Sequence, residues 1–246
     1  GYSDSYLRMI QNQLTSLFTH AAKIYDFPVN PCKKVKRMGN SDSRSLNFWT
    51  LDEYKQFIQT MEPGTRYYLM FEMLFWTGCR IGELLAITKA DINFEKNQLS
   101  INKTYYRTGM QDIITEPKTK QSFRTIEIPE FLKEEIKEFV DGHYGMPDTE
   151  RLFPVVQEAV QHKMKRQIEL AGVKKIRVHD LRHSHVAYLI EKGVEPLLIR
   201  DRLGHKDIRI TLNTYGHLYP NQQRKIANLL DNENAVTGSG EERDEC

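Results

Sequence analysis

Apolar residues recur at spacings of three and four between Tyr6 and Tyr25, at Leu7, Ile10, Leu14, Leu17, Phe18, Ala21 and Ile24. That period predicts an amphipathic helix. Asp26-Phe27-Pro28 and Asn30-Pro31 stop it, because proline cannot continue the hydrogen-bond ladder. A basic stretch, Lys33-Lys34-Val35-Lys36-Arg37, comes next, and then the polar run Gly39-Asn40-Ser41-Asp42-Ser43-Arg44-Ser45 reads as a linker. A lone helix cannot bury its own apolar face. Residues 1–38 are therefore expected either to close a helical domain that starts before this chain or to pack on the residues C-terminal to the linker.

The pattern changes at Thr50-Leu51-Asp52-Glu53, a capping box in which hydroxyl and carboxylate take up free N–H groups at a helix start. A helix is predicted to about Met61, a second over 66–77 ending at Gly78, and a short third over 81–87. Residues 98–106, 111–117 and 123–128 alternate as strands do, for example Thr125-Ile126-Glu127-Ile128. Helical patterns then cover about 130–140, 155–171, 180–192, 195–203, 207–214 and 221–230. The predicted class is mainly α with one small antiparallel β-sheet (α+β). The expected layout is a domain remnant over 1–38, a linker over 39–45, a main domain over 46–230 and a disordered acidic tail over 231–246.

The chain has 246 residues, 39% hydrophobic and 28% charged, which excludes a wholly disordered or collagen-like chain. The densest apolar run, Tyr67 to Trp76, contains Glu72 and is far shorter than the ~18 apolar residues of a membrane span. The first twenty residues lack the basic start and apolar run of a secretory leader. Cys32, Cys79 and Cys246 are odd in number and widely spaced, which argues against a disulfide framework or a zinc site and for a reducing compartment. No metal and no cofactor is expected. The net charge is +2, but Asp231 to Cys246 holds six acids and one base, leaving 34 bases against 27 acids elsewhere. A basic body suits nucleic acid without establishing it.

Three clusters carry candidate chemistry. In Thr77-Gly78-Cys79-Arg80-Ile81-Gly82-Glu83-Leu84, Gly78 permits a tight reversal and Arg80 opens the next helix, where free N–H groups favour an anion. A guanidinium there suits phosphate through its two-pronged bond, and Glu83 can hold the fork. In His179-Asp180-Leu181-Arg182-His183, His179 and Arg182 share a helix face. The pair repels a metal and suits an anion that needs a proton partner. His183 and His185 read as structural or solvent-facing. In Leu203-Gly204-His205, and ten residues on Tyr215, a histidine sits in a turn and a tyrosine at a helix end. Taken singly, each cluster also reads as an ordinary surface pair, helix start or half-buried tyrosine.

Together, in this order and spacing, they resemble the tyrosine recombinases, the phage- and transposon-type integrases. The resemblance covers about residues 46–230 and implies that family's catalytic-domain fold. It makes residues 1–38 similar to the end of the family's helical core-binding domain, whose remainder would precede this chain. It implies double-stranded DNA as substrate and Tyr215 as the nucleophile forming a 3′-phosphotyrosyl link. Arg80 and Arg182 would clamp the non-bridging oxygens, with His205 donating a further bond, and His179 would be the general base or proton relay. A hairpin lysine would protonate the 5′-oxygen; Lys118 matches that position best, with Lys120 next. Phosphate contacts are expected from Lys33, Lys34, Lys36 and Arg37, and from Lys163, Lys165, Lys174, Lys175 and Arg177. Linked domains would form a C-shaped clamp on the duplex. The resemblance further implies a tetramer on DNA formed through the C-terminal helix, an accessory directionality factor, no membrane partner, and a cytoplasmic, nucleoid-associated setting. The competing classes are a DNA-binding regulator that has lost cleavage and a type IB topoisomerase-like enzyme.

Overall fold

A computed structural model describes residues 1–39, 46–117, 122–143, 145–218, 227 and 230–231. The chain divides into two compact units, Gly1–Ser45 and Leu46–Cys246. The linker expected over 39–45 and the helix and tail expected beyond 221 fall almost wholly outside the described residues. Among the described residues no helix is long and apolar enough to cross a membrane.

The first unit is one helix with a return segment. Helix α1, Asp4–Ile24, is capped by Ser3 and buries none of its residues fully. Asn30 ties the segment after the prolines back to it. Its Nδ2 donates to the Thr15 carbonyl at 3.0 Å and to Thr19 Oγ1 at 2.9 Å, and its Oδ1 accepts from Cys32 N–H at 2.9 Å. Further on, Met38 N–H donates to Gln11 Oε1 at 2.6 Å. Within this unit the return segment leaves the apolar side chains Tyr6, Met9, Leu14, Leu17 and Ile24 exposed.

The second unit opens with α2, Leu51–Ile58, on the predicted Thr50–Glu53 capping box. Helix α3, Arg66–Thr77, packs on it through aromatic rings. Tyr54 stacks on Phe75 with centroids 3.7 Å apart, and Phe57 meets Phe71 edge-on at 5.0 Å. Loss of the Thr50 cap is worth about 1 kcal/mol, whereas Phe75→Ala costs about 3–5 kcal/mol. The aromatic layer therefore dominates this contact. Glu72 is buried within it and is satisfied by Tyr54 Oη at 2.8 Å and Trp76 Nε1 at 2.7 Å.

Helix α4 is short, Ile81–Leu84, and stops before the predicted residue 87. Among the described residues five strands come after it: β1, Ile92–Asn93; β2, Gln98–Ile101; β3, Thr104–Thr108; β4, Gln111–Thr115; and β5, Arg124–Glu127. They form two sheets instead of the single one predicted, an antiparallel β1-β2-β5 sheet and a β3-β4 hairpin. The run expected as one strand over 98–106 breaks at Asn102-Lys103. Both side chains turn onto buried Asp91, Asn102 Nδ2 at 2.8 Å and Lys103 Nζ at 2.6 Å. That polar anchor outweighs the continuous alternation. In the three-stranded sheet Leu99 pairs with Ile126 and Ile101 with Arg124, so Leu99, Ile101 and Ile126 all point into the core.

The remaining helices are α5, Glu130–Asp141; α6, Gln157–Ala171; α7, Asp180–Glu191; α8, Pro196–Leu203; and α9, Ile208–Tyr215. A one-turn helix, Gly216–Leu218, extends α9. A large apolar core joins α2–α6, the sheets and the start of α7. A second, smaller cluster, Val186, Ile190, Ile199, Leu203 and Tyr215, lies between α7, α8 and α9.

Candidate active site

Gly78 ends α3 with φ 66°, the left-handed region where glycine meets no Cβ penalty. A Cβ there would lie 2.5 Å from His185 Cδ2, so the reversal admits only glycine. The turn delivers Arg80 to the N-terminus of α4. Its backbone N–H donates to Glu83 Oε2 and its Nη1 to Glu83 Oε1, both at 2.8 Å. The Arg80 side chain is still 41% exposed, so it is braced at one edge and faces solvent at the other.

Glu83 serves a second guanidinium. Arg124, at the start of β5, donates Nη2 to Glu83 Oε2 at 2.8 Å and Nε to the Arg202 carbonyl at 2.8 Å. Both partners are 5% exposed. Burial alone would raise the Glu83 carboxyl, but Arg124 and then Arg80 overcome it and hold the group down at about 2. One carboxylate thus orients two guanidiniums, and the neighbourhood keeps net positive charge for an anion.

Arg182 projects from the first turn of α7 into a socket of backbone oxygens. Nη1 donates to the Gly78 carbonyl and Nη2 to the Leu203 carbonyl, both at 2.7 Å, and Nη2 also reaches His205 Nε2 at 3.1 Å. Burial, then the like charge of Arg80, lowers its guanidinium to about 9. An arginine only donates, so His205 Nε2 carries the lone pair and Nδ1 carries the hydrogen. Nδ1 lies 2.9 Å from Thr211 Oγ1, which accepts it. Gly204, in the left-handed region at φ 67°, turns the chain between α8 and His205. Burial and the Arg182 charge lower His205 to about 4.

Tyr215, the last residue of α9, is 2% exposed. Its hydroxyl lies 2.6 Å from His183 Nδ1. Burial pushes the phenol up to about 12, against the pull of the Arg182 and Arg80 charges. His179 stands at the surface before α7 and meets His183 edge-on, with ring centroids 5.3 Å apart. Partial desolvation, then Arg182, lowers its pKa. Beneath them Asp180 is 1% exposed and is gripped by Arg177 through Nη2 at 2.7 Å and the backbone N–H at 2.8 Å.

The structure therefore brings Arg80, His179, Arg182, His205 and Tyr215 into one electrostatic neighbourhood centred on Arg182. The contact to the tyrosine hydroxyl differs from expectation: His183, read as structural, holds it, and His179 stands one ring further out. Sequence reading also passed over Arg124, Thr211 and Asp180. His183 comes directly after Arg182 and shares a helix face with His179, a signal that was available. Arg124 and Thr211 had no local signal. Lys118 and Lys120 lie outside the described residues. Lys165, Lys175 and Arg177 line an apolar-floored hollow beside His179, and Lys33, Lys34, Lys36 and Arg37 are exposed on the first unit.

A family model, described as the phage integrase family, matches residues 47–222. The ICEBs1 integrase of Bacillus subtilis is 31% identical over 245 residues, covering 94% of this chain and 66% of that protein. A XerC-like tyrosine recombinase of Caldanaerobacter subterraneus is 28% identical, covering 94% of this chain and 67% of that protein. The chain thus spans about two-thirds of the length of these relatives. Among solved structures, the integrase of transposon Tn1549 in complex with a circular intermediate DNA superposes with a TM-score of 0.79 at 20% identity, over 95% of this chain and 80% of that one. That likeness concerns the fold.

Proposed function

The chain belongs to the phage integrase family, and from that premise we propose that it is the catalytic portion of a site-specific DNA recombinase of a mobile element. The observation that carries the proposal is the Arg182 socket, in which Arg182 is bonded to the Gly78 and Leu203 carbonyls and to His205, with the Tyr215 hydroxyl bonded to His183 one residue along the same helix. Tyr215 Oη attacks a DNA phosphorus and displaces the 5′-oxygen, leaving a 3′-phosphotyrosyl link. The covalent link conserves the phosphodiester bond, so a different 5′-hydroxyl can reseal it without ATP. Arg80 and Arg182 pair with the non-bridging oxygens, where charge grows at the pentacoordinate stage, and His205, bonded to both Arg182 and Thr211, holds Arg182 in place for that pairing. Each such group is worth about 10²–10³ in rate. His179, at the open edge, borders the same phosphate. The departing 5′-oxygen takes its proton from a hairpin lysine, Lys118 ahead of Lys120. No metal or cofactor enters this scheme.

The partner is double-stranded DNA, gripped mainly through phosphates by the basic residues named above. Exchange between two duplexes cuts four strands and so needs four tyrosines, which is the basis for assigning a homotetramer on DNA linked by the C-terminal segment. A directionality factor is the further expected partner. A nicked suicide duplex tests the core of the reading. Wild type should become trapped covalently on cognate DNA, and Tyr215→Phe should bind the duplex without trapping. A trapped species that survives Tyr215→Phe would move the nucleophile elsewhere.

A further inference from the structure

Two histidines stand near Tyr215, and their geometry separates them. His183 Nδ1 is 2.6 Å from Tyr215 Oη. Its other nitrogen, Nε2, is 4.0 Å from Asp180 Oδ1. Asp180 is itself fixed by Arg177 and held ionised: burial would raise its carboxyl, and the Arg177 bonds keep it below its usual range. At 4.0 Å Asp180 acts on Nε2 through its charge and not through a hydrogen bond, and that charge favours the form with the hydrogen on Nε2 and the Nδ1 lone pair towards the phenol. Tyr215 and His183 thus stand as a weak hydroxyl nucleophile in hydrogen-bond contact with a base, with the Asp180 charge close to that base. His179 reaches only the flank of the His183 ring.

We propose that His183 is the general base of strand cleavage, taking the phenolic proton of Tyr215 at Nδ1 as Oη attacks phosphorus. The proposal rests on the reading of Tyr215 as nucleophile. In the step, the Oη–P bond forms and the P–O5′ bond breaks. The phenolic proton goes to His183 Nδ1, and the 5′-oxygen takes a separate proton from the hairpin lysine or water. In rejoining, an incoming 5′-hydroxyl gives its proton to the hairpin lysine or water and attacks phosphorus, the Oη–P bond breaks, and His183 returns its proton to Oη. The charged groups around His183 are His179, Asp180, Arg177 and Arg182, with Tyr215 facing it from α9. Burial and His179 lower His183 to about 4, so the ring is unprotonated and able to accept at neutral pH. The negative charge of an arriving phosphate stabilises the imidazolium that forms.

The test is trapping on a nicked duplex with His183→Asn, which keeps a polar atom near Oη but cannot take a proton. Trapping should slow by about 10²–10³ while duplex affinity is unchanged. A ring-fluorinated, more acidic tyrosine at position 215 should restore most of the lost rate, because such a phenol needs little help from a base. A merely structural histidine would not respond to phenol acidity. Three results overturn the assignment: His183→Asn trapping at the wild-type rate, a defect that the acidic phenol does not relieve, or loss and relief found at His179→Asn instead. If His183→Asn does not fold, the nitrogen NMR signals of wild-type His183 decide: a hydrogen on Nδ1 in the resting protein overturns it. If wild type traps nothing, or Tyr215→Phe still traps, the nucleophile assignment falls and takes this one with it. Normal trapping by His183→Asn alongside a dead Tyr215→Phe removes only the base.

Discussion

Arg182 and Tyr215 are almost equally sealed from solvent, at 3% and 2% exposure, yet they are held in opposite ways. Arg182 is fixed by polar bonds to two backbone carbonyls that come from different turns, one after α3 and one at the end of α8. Moving it strands both carbonyls, at about 1–3 kcal/mol each. Tyr215 rests among Val186, Ile190, Ile199 and Leu203, with one described hydrogen bond at its hydroxyl. A ring among aliphatic side chains can rotate and lose only packing and that one bond. The contrast assigns preorganisation to the phosphate clamp and adjustability to the nucleophile. Electrostatic catalysis requires the former, because donors that must reorient during the reaction lose most of their effect.

The strongest way to break this comparison is Arg182→Ala. It should slow covalent trapping by at least about 10²–10³ and also lower the urea midpoint, since both carbonyls lose their donor. Slow trapping with an unchanged midpoint would show that the socket is not structural. Next comes Arg124→Met, which leaves Glu83 with only the half-exposed Arg80. Removing one member of a buried pair costs about 3–5 kcal/mol, and equilibrium unfolding should read it. Adding Glu83→Gln should recover part of that loss. A smaller effect is expected from Thr211→Val, which leaves the His205 Nδ1–H without an acceptor at about 1–3 kcal/mol. Trapping should slow about tenfold, and Thr211→Ser should largely restore it.

The smallest effect lies outside both seats. Glu135, on α5, touches Tyr68 Oη at 3.4 Å. Burial, then the neighbouring Glu72 charge, raises it to about 7 from an ordinary value of 4.5. A raised carboxyl favours folding while protonated. Its contribution is complete below the unfolded value and disappears as pH rises through about 7. Thermal midpoints should therefore fall between pH 5 and pH 8, and Glu135→Gln should flatten that slope. Trapping at the active site should not change, because Glu135 belongs to the aromatic core and touches neither Arg182 nor Tyr215 in any described contact.

Much of the architecture was legible locally. The Thr50–Glu53 box starts α2 as read, and Gly78 ends α3 as read. Arg80 and Glu83 are three residues apart and meet as the helix period requires. The helix from 180 and the strand ending at Glu127 obey their periods. What misled was the strand run over 98–106, because alternation does not register that Asp91, outside the run, captures Asn102 and Lys103 from it. Burial of Tyr215 was underestimated for the same reason. Its seat is built by α7 and α8, which local periodicity cannot place against α9.

By itself, the amino-acid order determined most of the described helices and the starts and stops marked by a cap or a glycine, such as Thr50, Gly78 and Gly204, because capping, glycine turns and amphipathic periods act over a few residues. Tertiary structure alone decided which histidine meets the tyrosine, across 32 positions, and that Glu83 shares its carboxylate with Arg124, 41 positions away. Those pairings are set by how α7, α9, α4 and β5 pack. They depend on shape and on the cost of leaving a buried polar group unpaired, and neither quantity is carried by the spacing of residues along a chain.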